Sequence, residues 1–371
     1  MTSPTVIICT HDRAAVVGRA VEAALREAAT VAGDVVVVDN ASTDGTTDVL
    51  DALCAGAGGR LRVVSEPVLG LSAARNCGLA HAHGEIAVFL DDDAVPRPGW
   101  LAGLLTPFAR RAVACAGGRI VVQFPDGPPA WFSAVLAPAV SGFDLGEAPR
   151  RVRYGRPGDL YPYGANIAFR LSDVRRVGGF STIIGLRGRQ LFAHEETDLC
   201  YRLEEIGREI VYAPAAVVDH HVGAERLTPA WFLERHRAGG YSGAIFVLRN
   251  RGVLRALSRV RWLYGRALLS RAMRSDEALA PRRFAEECRR REALGYLAGL
   301  AAGVVRLRAL RHDRRRLGTA GGSAGAAGGR MAHADDDGRA DLVGRQGGAA
   351  TPGAGGAWSR ADGGRSEHGA A

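Results

Sequence analysis

In Ile86-Ala87-Val88-Phe89-Leu90-Asp91-Asp92-Asp93, an apolar run leads directly into three carboxylates. Five consecutive apolar residues predict a strand that is buried on both faces, as in a parallel sheet. Three carboxylates follow at the carboxyl end of this strand, and open α/β sheets bind their ligands at that edge. A divalent cation such as Mg²⁺ or Mn²⁺ would remove the repulsion between them. The alternative is a solvated acidic turn, which is how we interpret a second Asp-Asp-Asp at 335–337, among Gly and Ala.

Alternating strand and helix patterns precede this stretch. Apolar runs predict strands at 6–9, 35–38 and 61–64, and apolar periodicity predicts helices at 14–29, 46–53 and 72–82. This order predicts a mainly parallel sheet with right-handed crossovers. Asp39 and Asp91 each end a strand, so we expect both at the same rim of the sheet.

Length and cysteine usage limit the class of protein. The 371 residues allow two domains, and the six cysteines are scattered without a CxxC pair. We therefore expect reduced thiols in a cytoplasmic protein, not a disulfide framework or a zinc site. The chain enters a strand within a few residues of Met1, so we expect no signal peptide. The thirteen uncharged residues at 293–305 fall short of the ~20 that a membrane-spanning helix needs.

The net charge of +9 is concentrated near the carboxyl end. Residues 249–316 hold nineteen Arg and six acidic residues, and all 48 basic residues of the chain are Arg. Arg interleaved with Leu, Val and Trp favours a helical surface that contacts anionic lipid, and the alternative is a solvated Arg face. Nucleic-acid binding is a third interpretation of this excess of Arg. The acidic remainder of the chain argues against it, because carboxylates repel phosphate.

Seven segments resemble motifs of family 2 glycosyltransferases. In chain order they are 6–13 (VIICTHDR), 37–46 (VVDNASTDGT), 74–79 (ARNCGL), 89–93 (FLDDD), 164–170 (GANIAFR), 178–180 (GGF) and 194–203 (HEETDLCYRL). Each motif is weak alone, but their order and spacing over about residues 5–225 are specific. One departure is His11-Asp12, where the family often has an aromatic residue followed by Asn.

The resemblance implies a GT-A fold, an α/β architecture with a Rossmann-like, mainly parallel sheet flanked by helices. We expect a GT-A domain at 1–226, with a donor half at 1–122 and an acceptor half at 123–226. A basic helical extension at 227–317 and a Gly/Ala-rich tail at 318–371 would follow. The tail is too poor in apolar residues to fold and is expected to be disordered.

The resemblance also assigns site residues. It implies that Asp93 and His220 ligate the metal, with His221 as the alternative to His220. Glu196 is the implied general base, standing where the family usually has Asp, and Asp198 and Glu195 are the alternatives. The residues expected to bind the donor are Thr10, Asp12, Arg13, Asp39, Arg75, Asp91 and Asp92. Those expected to contact the acceptor are Asn166 and Trp100.

These roles predict a metal-dependent, inverting transfer of a sugar from a UDP- or dTDP-sugar to a hydroxyl group. The acceptor would be a glycan, a lipid-linked glycan or a secondary metabolite, as in cell-envelope polysaccharide synthesis. The protein would lie in the cytoplasm or at the inner face of the membrane. A sugar nucleotidyltransferase is the alternative enzyme, but it would need a Gly-rich triphosphate loop and an early Lys, and the chain contains no Lys.

Overall fold

The computed structural model describes residues 3–155, 160–184, 191, 193–260 and 280–319. The strands are β1 (Pro4–Thr10), β2 (Asp34–Asp39), β3 (Leu61–Ser65), β4 (Ile86–Asp91), β5 (Ala94–Pro96), β6 (Val113–Gln123), β7 (Arg150–Val152), β8 (Asn166–Arg170) and β9 (Glu209–His221). The helices are α1 (Val17–Thr30), α2 (Thr46–Gly56), α3 (Leu71–His81), α4 (Trp100–Leu105), α5 (Leu171–Arg176), α6 (Glu195–Glu205), α7 (Pro229–Arg259), α8 (Pro281–Val305) and α9 (Leu307–Thr319).

The described strands form one mixed sheet in the order β3-β2-β1-β4-β8-β6-β9-β5, with β7 also paired to β9. The first four strands are parallel, and so are β6 and β9. β8 runs antiparallel between β4 and β6. The predicted α/β class with a mainly parallel sheet is thus confirmed. In the register of the parallel part, Thr10 is opposite Asp39 and Cys9 is opposite Asp91, so three strands end together at one rim.

The central strands are buried as their apolar runs predict. The four valines of β2 and the first five residues of β4 are inaccessible or nearly so, and α1 packs an apolar face against β1 and β2. Burying a Val, Leu or Ile side chain contributes about 1.5–3 kcal/mol, so this layer supplies much of the stability. It also makes the rim a fixed platform for the polar residues that follow each strand.

The sequence pattern of 211–219 predicts an edge strand that ends at His220-His221, but β9, which contains these residues, lies inside the sheet, so this prediction is wrong. β9 pairs with β6 on one side and with β5 and β7 on the other. β5 is only three residues long, too short to be recognised from periodicity. Its pairing sets Ala94 opposite His220, and the backbone N–H of His221 donates to the carbonyl of Asp93 at 2.9 Å.

The basic helical extension predicted at 227–317 begins with α7 at Pro229, where the hydroxyl of Thr228 accepts a hydrogen bond from the N–H of Trp231. Residues 261–279 of this extension lie outside the described residues, as does the predicted tail from residue 320 onward. Among the described helices, no single one is long and apolar enough to cross a membrane. α8 and α9 pass such a test only as a pair, and an 81° bend separates them.

Helices α7 and α8 approach each other through glycines. A Cβ atom on Gly240 would lie 1.9 Å from the carbonyl oxygen of Glu292, and one on Gly295 would lie 1.9 Å from that of Arg237. Gly299 repeats the pattern one turn further along, 2.4 Å from the carbonyl of Tyr241. The contact is therefore backbone against backbone, and any side chain at these positions would force the helices apart.

We expect Gly240→Ala to lower the free energy of unfolding by about 2 kcal/mol, because the added methyl group overpacks a rigid interface. Gly239→Ala, one residue earlier on the same helix, is the matched control, since a Cβ there meets nothing within 4 Å. It should be neutral or stabilising by up to about 1 kcal/mol through helix propensity. Urea unfolding followed by far-UV circular dichroism measures both. Equal effects of the two variants would contradict the close contact.

Candidate active site

A cleft of about 350 Å³ opens at the carboxyl rim of the parallel strands. One wall is formed by the residues after β1 and by the acidic turn after β4. The opposite wall comes from the carboxyl-terminal part of the chain, beyond β9. The polar residues that line it include Thr10, Arg13, Asp91, Asp92, Asp93, Arg226 and Arg235.

A metal-binding group is formed where the acidic turn meets β9. Ligand atoms of Asp91, Asp93 and His220 all lie within 4.8 Å of one another. The Nε2 atom of His220 is 2.9 Å from an oxygen of Asp93, and His220 is only 1% exposed. Two carboxylates and one imidazole fit a Mn²⁺ or Mg²⁺ ion that completes its shell with water and phosphate oxygens. The geometry thus brings His220, rather than His221, to Asp93, and it adds Asp91, which the resemblance assigns to the donor.

The electrostatics of Asp93 suit a metal ligand. Burial opposes its charge, but the hydrogen bond to His220 and the charges of His220, Arg226 and Arg13 lower the pKa of Asp93 to about 2. Asp93 is therefore ionised at neutral pH. Its Oδ2 atom is 3.1 Å from Nη1 of Arg226 and 3.6 Å from Nη2 of Arg13.

Asp92 faces the end of β1. Its carboxylate accepts a hydrogen bond from the hydroxyl of Thr10 at 2.7 Å and lies 3.8 Å from Nε of Arg13. Burial, followed by the charge of Asp93, raises the pKa of Asp92 to about 7. Asp92 thus joins the acidic turn to β1 and lines the predicted donor site.

Asp39 and Asp12 lie beside the cleft but do not line it. Asp39 is 7% exposed, and its two oxygens accept hydrogen bonds from the N–H of Ser42 and the hydroxyl of Thr47. Asp12 accepts from the N–H of Thr43. Both carboxylates therefore organise the turn before α2. Each carboxylate oxygen has a second lone pair, so nucleotide binding by Asp39 stays a prediction.

Arg75 lies behind the rim, among carboxylates. Nη1 is 2.8 Å from Oε1 of Glu195 and 3.8 Å from Oε2 of Glu196, and Nη2 is 3.8 Å from Oδ1 of Asp91. The guanidinium is 3% exposed and fills space that a Cβ on Gly164 would occupy. The prediction that Arg75 faces the diphosphate is replaced by this placement, in which one guanidinium bridges the acidic turn and the start of α6.

The two glutamates that begin α6 have different environments. Glu196 is 9% exposed and accepts a hydrogen bond from the N–H of Gly164 at 3.0 Å. Against the effect of burial, the charge of Arg75 lowers the pKa of Glu196. Burial and the charge of Glu196 raise the pKa of Glu195 to about 8. At neutral pH Glu196 is therefore ionised and Glu195 holds a proton.

Asp198 is held in a structural network and not in the cleft. It is fully buried and accepts hydrogen bonds from Arg202 at 2.9 Å, from Asn250 at 2.8 Å and from Arg249. Arg249 in turn pairs with Asp313 of α9. This network joins α6 to α7 and α9, so Asp198 is not available as a base.

Trp100 and Asn166 are buried, and the prediction that they contact the acceptor is wrong. Both are 0% exposed, and Nε1 of Trp100 donates to Oδ1 of Asn166 at 2.8 Å. The amide of Asn166 also donates to the carbonyls of Arg119 and Ala216. These hydrogen bonds connect α4, β8, β6 and β9. They occupy the polar side-chain atoms of Trp100 and Asn166, which are therefore not available to a substrate. The aromatic residues of 123–163 that are likewise buried are Trp131, Phe143 and Tyr161.

Sequence reasoning missed the residues that close the cleft from the carboxyl-terminal side. Arg226 ends the 3-10 turn Ala224–Arg226, and Trp231 and Arg235 lie in the first turns of α7. From the sequence alone, these residues predicted only a basic helix and no contact with the cleft. The available signal was the position of Arg226, six residues after His220 and therefore near the acidic turn.

With this geometry established, the chain can be compared with known proteins. Residues 5–178 match the family model described as glycosyl transferase family 2. The pre-mycofactocin glycosyltransferase of Mycobacterium tuberculosis is 37% identical over 152 residues, which are 41% of this chain and 30% of that protein. This chain therefore matches less than a third of the length of that relative.

Two solved structures share the fold. The mannosyltransferase PcManGT of Pyrobaculum calidifontis, in complex with GDP-Man and Mn²⁺, superposes with a TM-score of 0.50 at 20% identity, covering 86% of each chain. GalNAc-T7 with UDP, GalNAc and Mn²⁺ superposes with a TM-score of 0.50 at 14% identity, covering 83% of this chain and 58% of that one. The family match and this shared fold agree with the motifs and with the acidic rim. Residues 5–178 thus match glycosyl transferase family 2, and the chain has the GT-A fold of the two solved structures.

Proposed function

We propose that this enzyme transfers a sugar from a nucleoside diphosphate donor to an acceptor hydroxyl, with a divalent metal and with inversion at the anomeric carbon. The observation that carries the proposal is the bridge made by Arg75. One guanidinium touches both Asp91 of the metal-binding group and Glu196, the proposed base. The proposed metal site and the proposed base are therefore close enough for one side chain to contact both.

The proposed donor site is the cleft at the rim. Asp91, Asp93 and His220 would hold Mn²⁺ or Mg²⁺, which neutralises the diphosphate as it leaves. Thr10, Arg13 and Asp92 line the same cleft and would contact the donor. The two solved structures that share the fold contain Mn²⁺, with GDP-Man in one and UDP in the other, which supports a metal and a nucleotide.

The proposed nucleobase is uracil or thymine. Asp39 ends β2 beside the cleft, and a carboxylate accepts the imide N–H of these bases. Guanine presents two adjacent N–H donors and would use both oxygens of Asp39, which already accept from Ser42 and Thr47, so a base with one imide N–H fits this position better. Asp39 would use the lone pairs that its turn contacts leave free.

Glu196 is proposed to remove the proton from the acceptor hydroxyl as that oxygen attacks the anomeric carbon. A single ionised carboxylate suffices for direct displacement. The charge of Arg75 lowers the pKa of Glu196 and so supports this role, and Arg75 contacts both glutamates. Asp198 has no part in this step, because its carboxylate is ion-paired with Arg202 and Arg249.

The proposed acceptor is a glycan, a lipid-linked glycan or a secondary metabolite, reached from the cytoplasm or the inner face of the membrane. The excess of Arg in 249–316 supports contact with anionic lipid. Leu254, Leu257 and Val305 add exposed apolar surface on α7 and α8. Such side chains insert at the interface of a bilayer while arginines meet the headgroups.

A thermal-shift panel tests the donor assignment. UDP, dTDP, GDP and ADP are each added with and without Mn²⁺, and we expect a rise in melting temperature with UDP or dTDP that requires the metal. The nucleoside monophosphates are the matched controls and should shift it less, since they lack the leaving-group phosphate. No shift with any diphosphate, or an equal shift without metal, would contradict the proposed donor site. A donor-sugar screen with the preferred nucleotide then follows.

A further inference from the structure

Arg226 occupies a special position in the cleft. It is the last residue of the 3-10 turn that follows β9, and its Nη1 atom lies 3.1 Å from Oδ2 of Asp93. Its side chain is 20% exposed and lines the cleft beside the acidic turn. Arg226 is thus a cation supplied by the carboxyl-terminal wall to a residue of the amino-terminal wall.

Trp231 holds the guanidinium of Arg226 from one side. The Cζ atom of Arg226 lies 5.3 Å from the centroid of the Trp231 ring, a cation–π contact. Trp231 is itself fixed, because its backbone N–H donates to the side chain that caps α7. Stacking covers the face of a guanidinium and leaves its N–H edges free, and those edges match the oxygens of a phosphate.

Asp93 contacts more than one basic side chain. Its carboxylate lies 3.1 Å from Arg226, 3.6 Å from Arg13 and 2.9 Å from the imidazole of His220. Arg235 also lines the cleft, anchored to the carbonyls of Leu191 and Ala139. The cleft thus holds these three arginines and the carboxylates of the acidic turn. Once a metal ion neutralises the carboxylates, the roughly two negative charges of a diphosphate complement the arginines.

We propose that Arg226 is a diphosphate-binding residue that pairs with Asp93 in the free enzyme and turns to the phosphates of the donor when the donor binds. This inference rests on the proposed function and deepens it. Because Asp93 is a proposed metal ligand, Arg226 competes with the metal ion for the carboxylate of Asp93. This competition ends when Arg226 binds the phosphates of the nucleotide instead. Removing Arg226 should therefore change metal affinity and nucleotide affinity in opposite directions.

The test is Arg226→Met, with Mn²⁺ binding to the nucleotide-free enzyme measured by electron paramagnetic resonance and nucleotide binding measured by calorimetry. We expect Mn²⁺ alone to bind severalfold more tightly than to the wild type. We expect UDP, or whichever nucleoside diphosphate the panel selects, to bind about 10- to 100-fold more weakly. The corresponding nucleoside monophosphate and nucleoside should change by less than about threefold, because they contact Arg226 less or not at all.

Arg97→Met is the matched control. Arg97 forms an ion pair with Asp219 on the neighbouring strands β5 and β9, is 49% exposed and does not line the cleft. Its loss should leave both affinities unchanged. Arg226→Lys keeps the charge without the planar fork and should show smaller changes in the same directions, which also covers the case that the Met variant does not fold.

The possible results separate the two proposals. If the wild type binds no nucleoside diphosphate with Mn²⁺, the donor assignment itself fails. If the wild type binds one and both Arg226 variants bind it equally well, only the role of Arg226 is overturned. A loss of both Mn²⁺ and nucleotide affinity would show that Arg226 only maintains the structure of the site, and would also overturn the proposal.

Discussion

Glu196→Gln is expected to lower kcat by about 10²- to 10⁴-fold while leaving nucleotide affinity within about twofold. The amide keeps the size of the side chain and can keep the contact with the N–H of Gly164, but it cannot accept a proton from the acceptor hydroxyl. Initial-rate kinetics with the donor identified by screening, together with calorimetry of the nucleoside diphosphate, separate the two quantities.

Glu195→Gln is the matched control for this experiment. Because burial and the charge of Glu196 raise the pKa of Glu195 to about 8, the wild-type side chain is already protonated at neutral pH. Gln imitates that protonated form and can still accept the hydrogen bond from Arg75. We expect kcat to stay within about tenfold of the wild type. If instead Glu195→Gln abolishes transfer and Glu196→Gln does not, the base is Glu195.

The pH dependence of kcat distinguishes the two glutamates independently. The pKa of Glu196 lies below its ordinary value of 4.5, so a base at this position is fully ionised above about pH 5.5 and the rate should be flat from there to pH 7. The pKa of Glu195 is about 8, so a base at that position would make the rate rise about tenfold per pH unit over the same interval. A flat profile in both the wild type and Glu195→Gln supports Glu196.

Asp93→Asn is expected to remove metal binding and, with it, metal-dependent nucleotide binding and transfer. Asp93 is the carboxylate of the acidic turn that lies 2.9 Å from His220 and whose pKa is lowered to about 2, so its charge contributes most directly to holding a cation. We expect Mn²⁺ affinity to fall at least about 100-fold, since a charged ligand contributes several kcal/mol in a buried site. The thermal shift produced by Mn²⁺ plus nucleoside diphosphate, relative to each variant alone, measures the loss.

Asp219→Asn provides the comparison, because Asp219 precedes His220 on β9 but pairs with Arg97 and Gln123 outside the cleft. It should leave the Mn²⁺-dependent shift intact. Unchanged turnover of Asp93→Asn with Mn²⁺ would remove Asp93 from the metal site. Comparison of each variant with its own metal-free melting temperature corrects for the ion pairs that Asp93 makes with Arg226 and Arg13.

The sequence alone predicted the parallel half of the sheet and the identity of its active rim. Apolar runs of four or five residues give strands buried on both faces, and the alternation with amphipathic helices gives their direction. The carboxyl ends of such strands meet at one edge, so Asp91 and Asp93 were placed correctly from local pattern. The position of His220 followed from the family resemblance, although the strand that holds it was misread as an edge.

The packing of elements that are distant in the chain determines which polar residues face the cleft. Trp100 and Asn166 satisfy each other 66 residues apart, Asp198 meets Arg249 51 residues away, and Arg226 reaches Asp93 across 133 residues. A polar side chain is placed by the partner that satisfies its hydrogen bonds and charge, and that partner is brought near by packing of distant elements. Periodicity predicts which face of a helix or strand is buried, but it does not predict these distant partners. The local sequence pattern therefore predicted the position of the rim, and packing determined which of its polar side chains are available to bind a ligand.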